Sequence, residues 1–262
     1  MKHKLWQAIQ FGKYLLRSFH LHGIHSPFVY ELNETIFKEK VKFYAFEEVE
    51  SIRAKLLLTT KKLTIHDLGA GSQTNNSNKR AIGDIAKSAL KSPKKAQVLF
   101  RLAYHFKPTN ILELGTSLGI STAYLAKACP KANIITIEGA PEVANVAAIN
   151  FEKLKLNNIS QVVGNFDSIL ESELKQLKKV DFVFFDGNHK KAPTLSYFHT
   201  CLKYAEKDSI FIFDDIYWSK EMTEAWEEIK SHPEVSVTID CFEMGLVFFK
   251  KGQVKEHFTV YH

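Results

Sequence analysis

From residue 96 onward, segments with helical periodicity alternate with short apolar runs, and this rhythm restricts the fold more than any other feature of the chain. Helical patterns over 97–106, 120–129, 141–154, 168–177, 193–204 and 220–230 are interleaved with runs at 110–114, 133–137, 160–163, 181–185 and 209–213. Two of these runs, Phe182-Val183-Phe184-Phe185 and Ile210-Phe211-Ile212-Phe213, are unbroken in apolar character. Strands of that kind are buried on both faces, which implies a parallel sheet covered by helices. The rhythm breaks at the end, where 235–240 and 246–250 flank Cys241-Phe242-Glu243-Met244-Gly245 and read as an antiparallel hairpin. The expected fold is α/β: a Rossmann-like, seven-stranded mixed sheet, parallel with a terminal antiparallel hairpin, with helices on both faces.

Residues 1–95 read as a mainly helical extension or lid, and 96–262 as the main domain, with Lys91-Ser92-Pro93-Lys94-Lys95 marking the boundary. Residues 4–20 have an apolar helical stripe (Leu5, Trp6, Ile9, Leu15, Leu16, Phe19) that suits docking on the chain's own domain or on a second subunit. A homodimer contact and an interfacial membrane helix both stay open. The turn-rich joint His22-Gly23-Ile24-His25-Ser26-Pro27-Phe28 holds two histidines, too few for a metal site. Residues 1–100 hold 17 basic and 8 acidic groups, and 101–262 hold 18 and 21, so the basic character belongs to the N-terminal portion. That portion can attract a polyanion, but no Lys/Arg block exceeds two residues, and solvated helix faces are the simpler reading. Nucleic acid is thus disfavoured as a partner without being excluded. No apolar run reaches the ~18 residues of a membrane span, and the first residues lack a secretory pattern. The three cysteines, Cys129, Cys201 and Cys241, show no zinc or disulfide spacing. Together these favour a cytoplasmic chain.

The chemistry concentrates in two places. In Ile111-Leu112-Glu113-Leu114-Gly115-Thr116-Ser117-Leu118-Gly119-Ile120-Ser121, a strand ends in an acid and a glycine, passes a tight turn and opens a helix. Glycines let backbone approach a ligand closely, and a helix start offers free N–H groups. This departs from the GxGxxG dinucleotide fingerprint, and Glu113 suits a cationic ligand group better than a pyrophosphate. The next strand ends in Glu138, 19 residues after Gly119, where an acid can accept bonds from ribose hydroxyls. A second turn, Asp67-Leu68-Gly69-Ala70-Gly71-Ser72, imitates the first, but a polar run follows it instead of a helix. It reads as a structural turn or part of a lid.

These residues resemble a class I S-adenosylmethionine-dependent methyltransferase. The segment from Glu113 to Ser121 is especially similar to small-molecule O-methyltransferases of the catechol O-methyltransferase type. The resemblance covers about residues 96–262. It implies that Glu113, Gly115, Thr116, Ser117 and Gly119 hold the methionine part of S-adenosylmethionine and that Glu138 holds its ribose. It places Asn165 and Phe166, in Gly164-Asn165-Phe166-Asp167, beside the adenine, with Asn165 as the hydrogen-bonding residue. A nucleotide-binding Rossmann domain of another kind is the alternative.

The second place is a set of acids. The fourth strand runs into Asp186-Gly187-Asn188-His189, and the fifth into Asp214-Asp215. In this fold the two strands are neighbours, so their tips lie about 4.8 Å apart. Carboxylates that close raise one another's pKa unless a cation neutralises them, and a hard ion such as Mg2+ fits. The resemblance sharpens this: Asp186, Asp214 and Asp215 match the metal-binding positions of such O-methyltransferases, with Asp215 replacing the more usual Asn. It also places a lysine base where His189 stands, with Lys190 beside it. An imidazole can accept a hydroxyl proton or ligate a metal. The catalytic candidates are His189, Asp186 and Lys190, with Asp186 also a cofactor contact. Plain helix capping or cofactor contact by these acids remains open. Tyr217 and Trp218 follow as pocket walls or packing aromatics. The expected reaction is methyl transfer to a hydroxylated small molecule. Methylation of RNA or protein guided by residues 1–95, or cofactor binding without catalysis, are the alternatives.

Overall fold

The computed structural model describes residues 2–18, 25–65 and 79–261. His22 and the whole Asp67–Ser72 turn lie outside the described residues. Ahead of residue 40 come α1 (Lys2–Arg17) and α2 (Pro27–Leu32), the latter passing into a π-helical turn, Asn33–Phe37. There follow α3 (Tyr44–Leu57), β1 (Lys62–Thr64), β2 (Lys79–Ala81), α4 (Ile82–Ala89), α5 (Pro93–Phe106), β3 (Asn110–Leu114), α6 (Ile120–Ala128) and β4 (Asn133–Glu138). The alternation continues with α7 (Pro141–Lys153), β5 (Ile159–Val163), α8 (Phe166–Leu177), β6 (Val180–Phe185), α9 (Lys191–Leu202), β7 (Ala205–Asp214) and α10 (Lys220–Ser231). It closes with β8 (Val237–Asp240), β9 (Met244–Phe248) and β10 (Glu256–Thr259). Two compact units divide these elements, one made of Met1–Glu39 with Leu174–His262 and the other of Lys40–Glu173.

In the middle unit β3, β4 and β5 run parallel, with Leu112 opposite Ile135 and Ile135 opposite Ser160. Ile111, Leu112, Leu114, Ile134 and Ile137 are wholly buried, as the apolar runs require. Helix α6 is buried along nearly its whole length, and α3 and α5 pack against it. Phe46, Phe100 and Tyr124 form the seam, with Phe46 edge-on to Phe100 at 5.0 Å between ring centroids. The Tyr124 hydroxyl donates to Glu50 at 2.8 Å, and Arg53 Nε donates to both oxygens of the same carboxylate. Helix α3 is thus tied to α6 by packing and by this hydrogen-bonded pair.

In the other unit β6 and β7 are parallel, β7 pairs antiparallel with β9 and β9 with β8, and β10 lies parallel to β8. Phe185 stacks on Phe213 at 4.2 Å with the rings 9° apart, which fixes the register of β6 against β7. Trp226 of α10 lies over Gly245 so closely that a Cβ there would come within 2.6 Å of the indole; only glycine admits this contact. Helix α1 docks within this unit. Its Tyr14 is buried and donates to the carbonyl of Val260 at 2.5 Å, and Phe11 meets Phe242 edge-on at 4.9 Å.

The α/β class, the mostly parallel strands flanked by helices and the closing hairpin are as expected. The strand count is not: among the described residues there are eight principal strands, five in one unit and three in the other, instead of seven. The additional strand is β10. Glu256-His257-Phe258-Thr259 carries no apolar run, and backbone pairing to the edge of β8 defines it. Helix α5 also starts four residues earlier than its periodicity indicates, because Pro93 sits in its first turn, where a missing N–H is harmless. Among the described residues no helix is long and apolar enough to cross a membrane.

Candidate active site

After β3 the backbone enters the left-handed region at Gly115 (φ 105°), Ser117 (φ 47°) and Gly119 (φ 82°). Gly119 is required twice over, since a Cβ there would also meet the Phe151 ring at 2.6 Å and Ala147 at 3.0 Å. The turn is held from the tip of β4. Gly115 and Thr116 donate backbone N–H bonds to the carbonyl of Ile137 at 3.0 and 3.2 Å. Ser117 N–H donates to Glu138 Oε2 at 2.8 Å, while Glu138 Oε1 accepts from Ala140 N–H at 3.0 Å. Glu138 therefore clasps the loop that opens α6. Charge-assisted bonds of this type are the stronger kind, and they keep a non-glycine residue at positive φ.

Glu113 stands behind this loop. It is wholly buried, and its Oε2 accepts from the hydroxyls of Thr122 and, at 2.7 Å, Thr136. Burial pushes its pKa up, while the hydroxyls of Ser121, Thr122 and Thr136 pull it back. Thr116, buried too, shares a 2.6 Å hydrogen bond with Thr136. These two residues organise the turn through their neighbours, whereas Gly115, Ser117 and Glu138 are partly open to solvent. Beyond β5, Asn165 is exposed and caps α8, its Oδ1 accepting from Asp167 N–H at 2.9 Å; Phe166 is half-buried. The threonine at 136 went unnoticed in the sequence, although a polar residue within the apolar run of β4 was a usable sign.

The second cluster belongs to the other unit. The β6–β7 register sets Phe185 against Phe213, so the tips that carry Asp186 and Asp214 end side by side. Asn188 adopts φ 54°, donates from Nδ2 to the Tyr197 hydroxyl at 3.2 Å and accepts from Lys190 N–H at 2.6 Å. That turn brings His189 Nε2 to 3.8 Å from Asp186 Oδ1. Asp186, His189 and Asp214 each place one ligand atom so that all lie within 4.8 Å of one another. Asp214 is buried, and the side chains of His189 and Asp186 are 26% and 13% exposed. Asp215 is not one of the three. It has φ 52°, and its N–H donates to the carbonyl of Glu243 at 2.7 Å. Lys190 is exposed beside the group.

Tyr217 proves to be a packing residue. It is buried, stacks on Phe242 at 5.3 Å and donates to Asp240 Oδ2 at 2.5 Å. Asp240 Oδ1 accepts from Phe242 N–H at 2.8 Å, and burial pushes this carboxyl up. The pair anchors the loop after Asp214 to the β8–β9 turn. The sign in the sequence was an acid closing the strand Val237-Thr238-Ile239-Asp240.

Comparison with known proteins fits this geometry. Residues 112–216 match the family described as a methyltransferase domain. Over 128 residues the chain is 32% identical to a catechol O-methyltransferase of Niastella koreensis, covering 48% of this chain and 57% of that one. A catechol O-methyltransferase of Mycobacterium tuberculosis is 27% identical over 127 residues, 48% of this chain and 56% of its own. The chain thus matches only somewhat more than half the length of these relatives. Among solved structures, the O-methyltransferase of Bacillus cereus in complex with SAH has TM-score 0.57 at 21% identity, covering 83% of this chain and 95% of that one. The SAH-bound methyltransferase PaMTH1 of Podospora anserina has TM-score 0.61 at 14% identity, covering 87% and 97%. These two likenesses concern the fold. Residues 112–216 are thus similar to a methyltransferase domain, and the likeness extends over less than half of the chain. Over about half of its length the chain is similar to catechol O-methyltransferases.

Proposed function

We propose that this chain transfers a methyl group from S-adenosylmethionine to a hydroxyl of a small molecule, with a vicinal diol as the first acceptor to try. The observation that carries the reading is the extent of the family match: it begins in β3 and ends at Ile216, enclosing the glycine loop, Glu138, Asn165 and the whole Asp186–His189–Asp214 group. In this reading residues 96–262 are the transferase domain and 1–95 shape acceptor choice. The buried thiols of Cys129, Cys201 and Cys241 support a reducing, cytoplasmic setting.

S-adenosylmethionine supplies a methyl already activated by its sulfonium, so the chain contributes alignment and a deprotonated acceptor. Glu138, already accepting from Ser117 and Ala140 N–H at the tip of β4, is the acid that meets the ribose hydroxyls. Gly115, Ser117 and Gly119 admit the methionine part, with Glu113 and Thr116 holding the turn in shape. Asn165 and Phe166 flank the adenine. The two aspartates and the imidazole form a donor set that fits a divalent cation, because neighbouring carboxylates with little exposure are relieved by one. Asp186, His189 and Asp214 would hold it, and when bound it lowers the pKa of an acceptor hydroxyl and orients it. Without an ion His189 is the basic side chain at hand for the released proton; with His189 a ligand, that part falls to Lys190.

Calorimetric titration with S-adenosylhomocysteine, followed by transfer of labelled methyl to 3,4-dihydroxybenzoate in the presence of divalent metal, tests the reading. Binding and transfer are expected; an absence of S-adenosylhomocysteine binding overturns it. Salt-dependent RNA binding by the same preparation would instead favour the RNA-directed alternative.

A further inference from the structure

Resting on the methyltransferase reading of this site, we infer that Asp186, His189 and Asp214 form a mixed nitrogen–oxygen site for a borderline transition-metal ion such as Mn2+ or Co2+, with His189 a ligand, in place of an all-oxygen site for Mg2+. The donor set is the first reason. Mg2+ favours oxygen ligands in near-ideal octahedral array and retains water, whereas imidazole suits the first-row transition ions. Here the third side chain beside the two carboxylates is an imidazole, and the oxygen donor expected in that place, Asp215, is not in the group.

Distance is the second reason. Two donors each ~2.1–2.2 Å from one ion cannot lie more than roughly 4.3 Å apart. The 3.8 Å between His189 Nε2 and Asp186 Oδ1 already satisfies this. All separations in the group lie within 4.8 Å, so at most a small side-chain rotation brings the three donors onto one ion.

The third reason is that the loop carrying the imidazole is itself held in place. Asn188 turns the chain through a left-handed conformation that asparagine tolerates better than most residues. Its amide is anchored on the buried Tyr197, and its carbonyl is bridged by Lys190 N–H. Such bonds fix the backbone from which His189 reaches Asp186 at 3.8 Å before any ion arrives. With His189 engaged as a ligand, Lys190 is the remaining basic side chain of the loop for the acceptor's proton.

The test uses the full chain stripped with a chelator and reads metal binding without turnover. MnCl2, CoCl2 and MgCl2 are titrated by calorimetry, and the visible absorption of the Co2+ form is recorded. Mn2+ and Co2+ are expected to bind at least about tenfold more tightly than Mg2+. His189→Asn should weaken Mn2+ and Co2+ by about tenfold or more, leave Mg2+ within about twofold and shift the Co2+ absorption. Circular dichroism checks folding, and His189→Gln replaces any variant that fails it, with the same expectation. Equal affinity for Mn2+ and Mg2+, no binding of any of the three ions, or unchanged Mn2+ affinity in the folded His189 variant overturns the proposal. S-adenosylhomocysteine titrated into the same preparation separates the two readings. Cofactor binding without Mn2+ selectivity removes the metal proposal alone, and Mn2+ selectivity without cofactor binding removes the methyltransferase reading.

Discussion

Glu138 and the pair Asp186–Asp214 occupy equivalent places, at or just past the carboxyl ends of parallel strands, yet their surroundings differ in kind. The tip of β4 turns backbone donors onto its acid: Ser117 and Ala140 both give N–H bonds to Glu138. The tips of β6 and β7 gather two acids beside each other and add an imidazole. An acid met by fixed donors stays charged and organises a loop. Acids that meet each other favour a cation or a shared proton. In the proposed function the same topology assigns one strand end to ribose hydroxyls and the other to a metal.

Breaking the second cluster should have the largest effect. Asp214→Asn should lower kcat/KM for methyl transfer by about three orders of magnitude, the scale of the several kcal/mol a metal contributes to developing charge. Binding of S-adenosylhomocysteine should stay near wild type by calorimetry. Full turnover by this variant in the presence of chelator would erase the contrast between the two strand ends. Glu138→Ala should do the reverse. Two lost charge-assisted bonds, about 3 kcal/mol together at the lower end of their range, weaken S-adenosylhomocysteine roughly a hundredfold. Metal binding should be unchanged.

A third substitution sharpens the comparison without touching an acid. Gly119→Ala puts a methyl group against Phe151 at a positive φ. Its expected cost is about 2 kcal/mol, or roughly 4–8 °C in Tm for a domain of this size. Thermal unfolding reads this directly. Cofactor affinity should fall with it, because the loop and α7 must part, and the Asp186–His189–Asp214 group should still bind metal.

The order of elements was legible in the sequence because double-sided burial writes long apolar runs, as in Phe182–Phe185 and Ile210–Phe213. β10 was not, because an edge strand paired through its backbone needs no such run. The glycine loop and Glu138 were legible for a comparable reason: positive φ at Gly115 and Gly119 restricts residue type, and the tip of a strand is a defined place. The metal-site candidates were found as residues but not as a group. Spacing put Asp215 beside Asp214, while the bond from its N–H to Glu243 and the turn at Asn188 decide that His189 is the third member. Such choices depend on contacts between distant segments, as do Tyr217 with Asp240 and Glu113 with Thr136. Local pattern can mark a single residue, as with Thr136 in β4 and Asp240 at the end of β8, but not the partner it meets.

Glu113 gives the finest test, because the resemblance and the geometry assign it different work. The resemblance implies contact with the methionine part of the cofactor, while the structure buries it among the hydroxyls of Thr122 and Thr136. Its pKa is raised above the ordinary 4.5, chiefly by burial. The folded state therefore holds this proton more tightly than the unfolded chain. Its contribution to stability is fullest below pH 4.5, declines as pH rises through the raised value and stays at its lower level beyond it. Glu113→Gln keeps an acceptor for the threonine hydroxyls and removes the titration. Urea unfolding at pH 5 and pH 8 should show a smaller fall in stability for the variant than for the wild type. S-adenosylhomocysteine affinity should change by about threefold or less, far below the effect at Glu138. A loss as large as that of Glu138→Ala would mean that Glu113 faces the ligand after all. The two strand ends would then differ less than their hydrogen bonds indicate, since β3 and β4 would each present an acid to the cofactor.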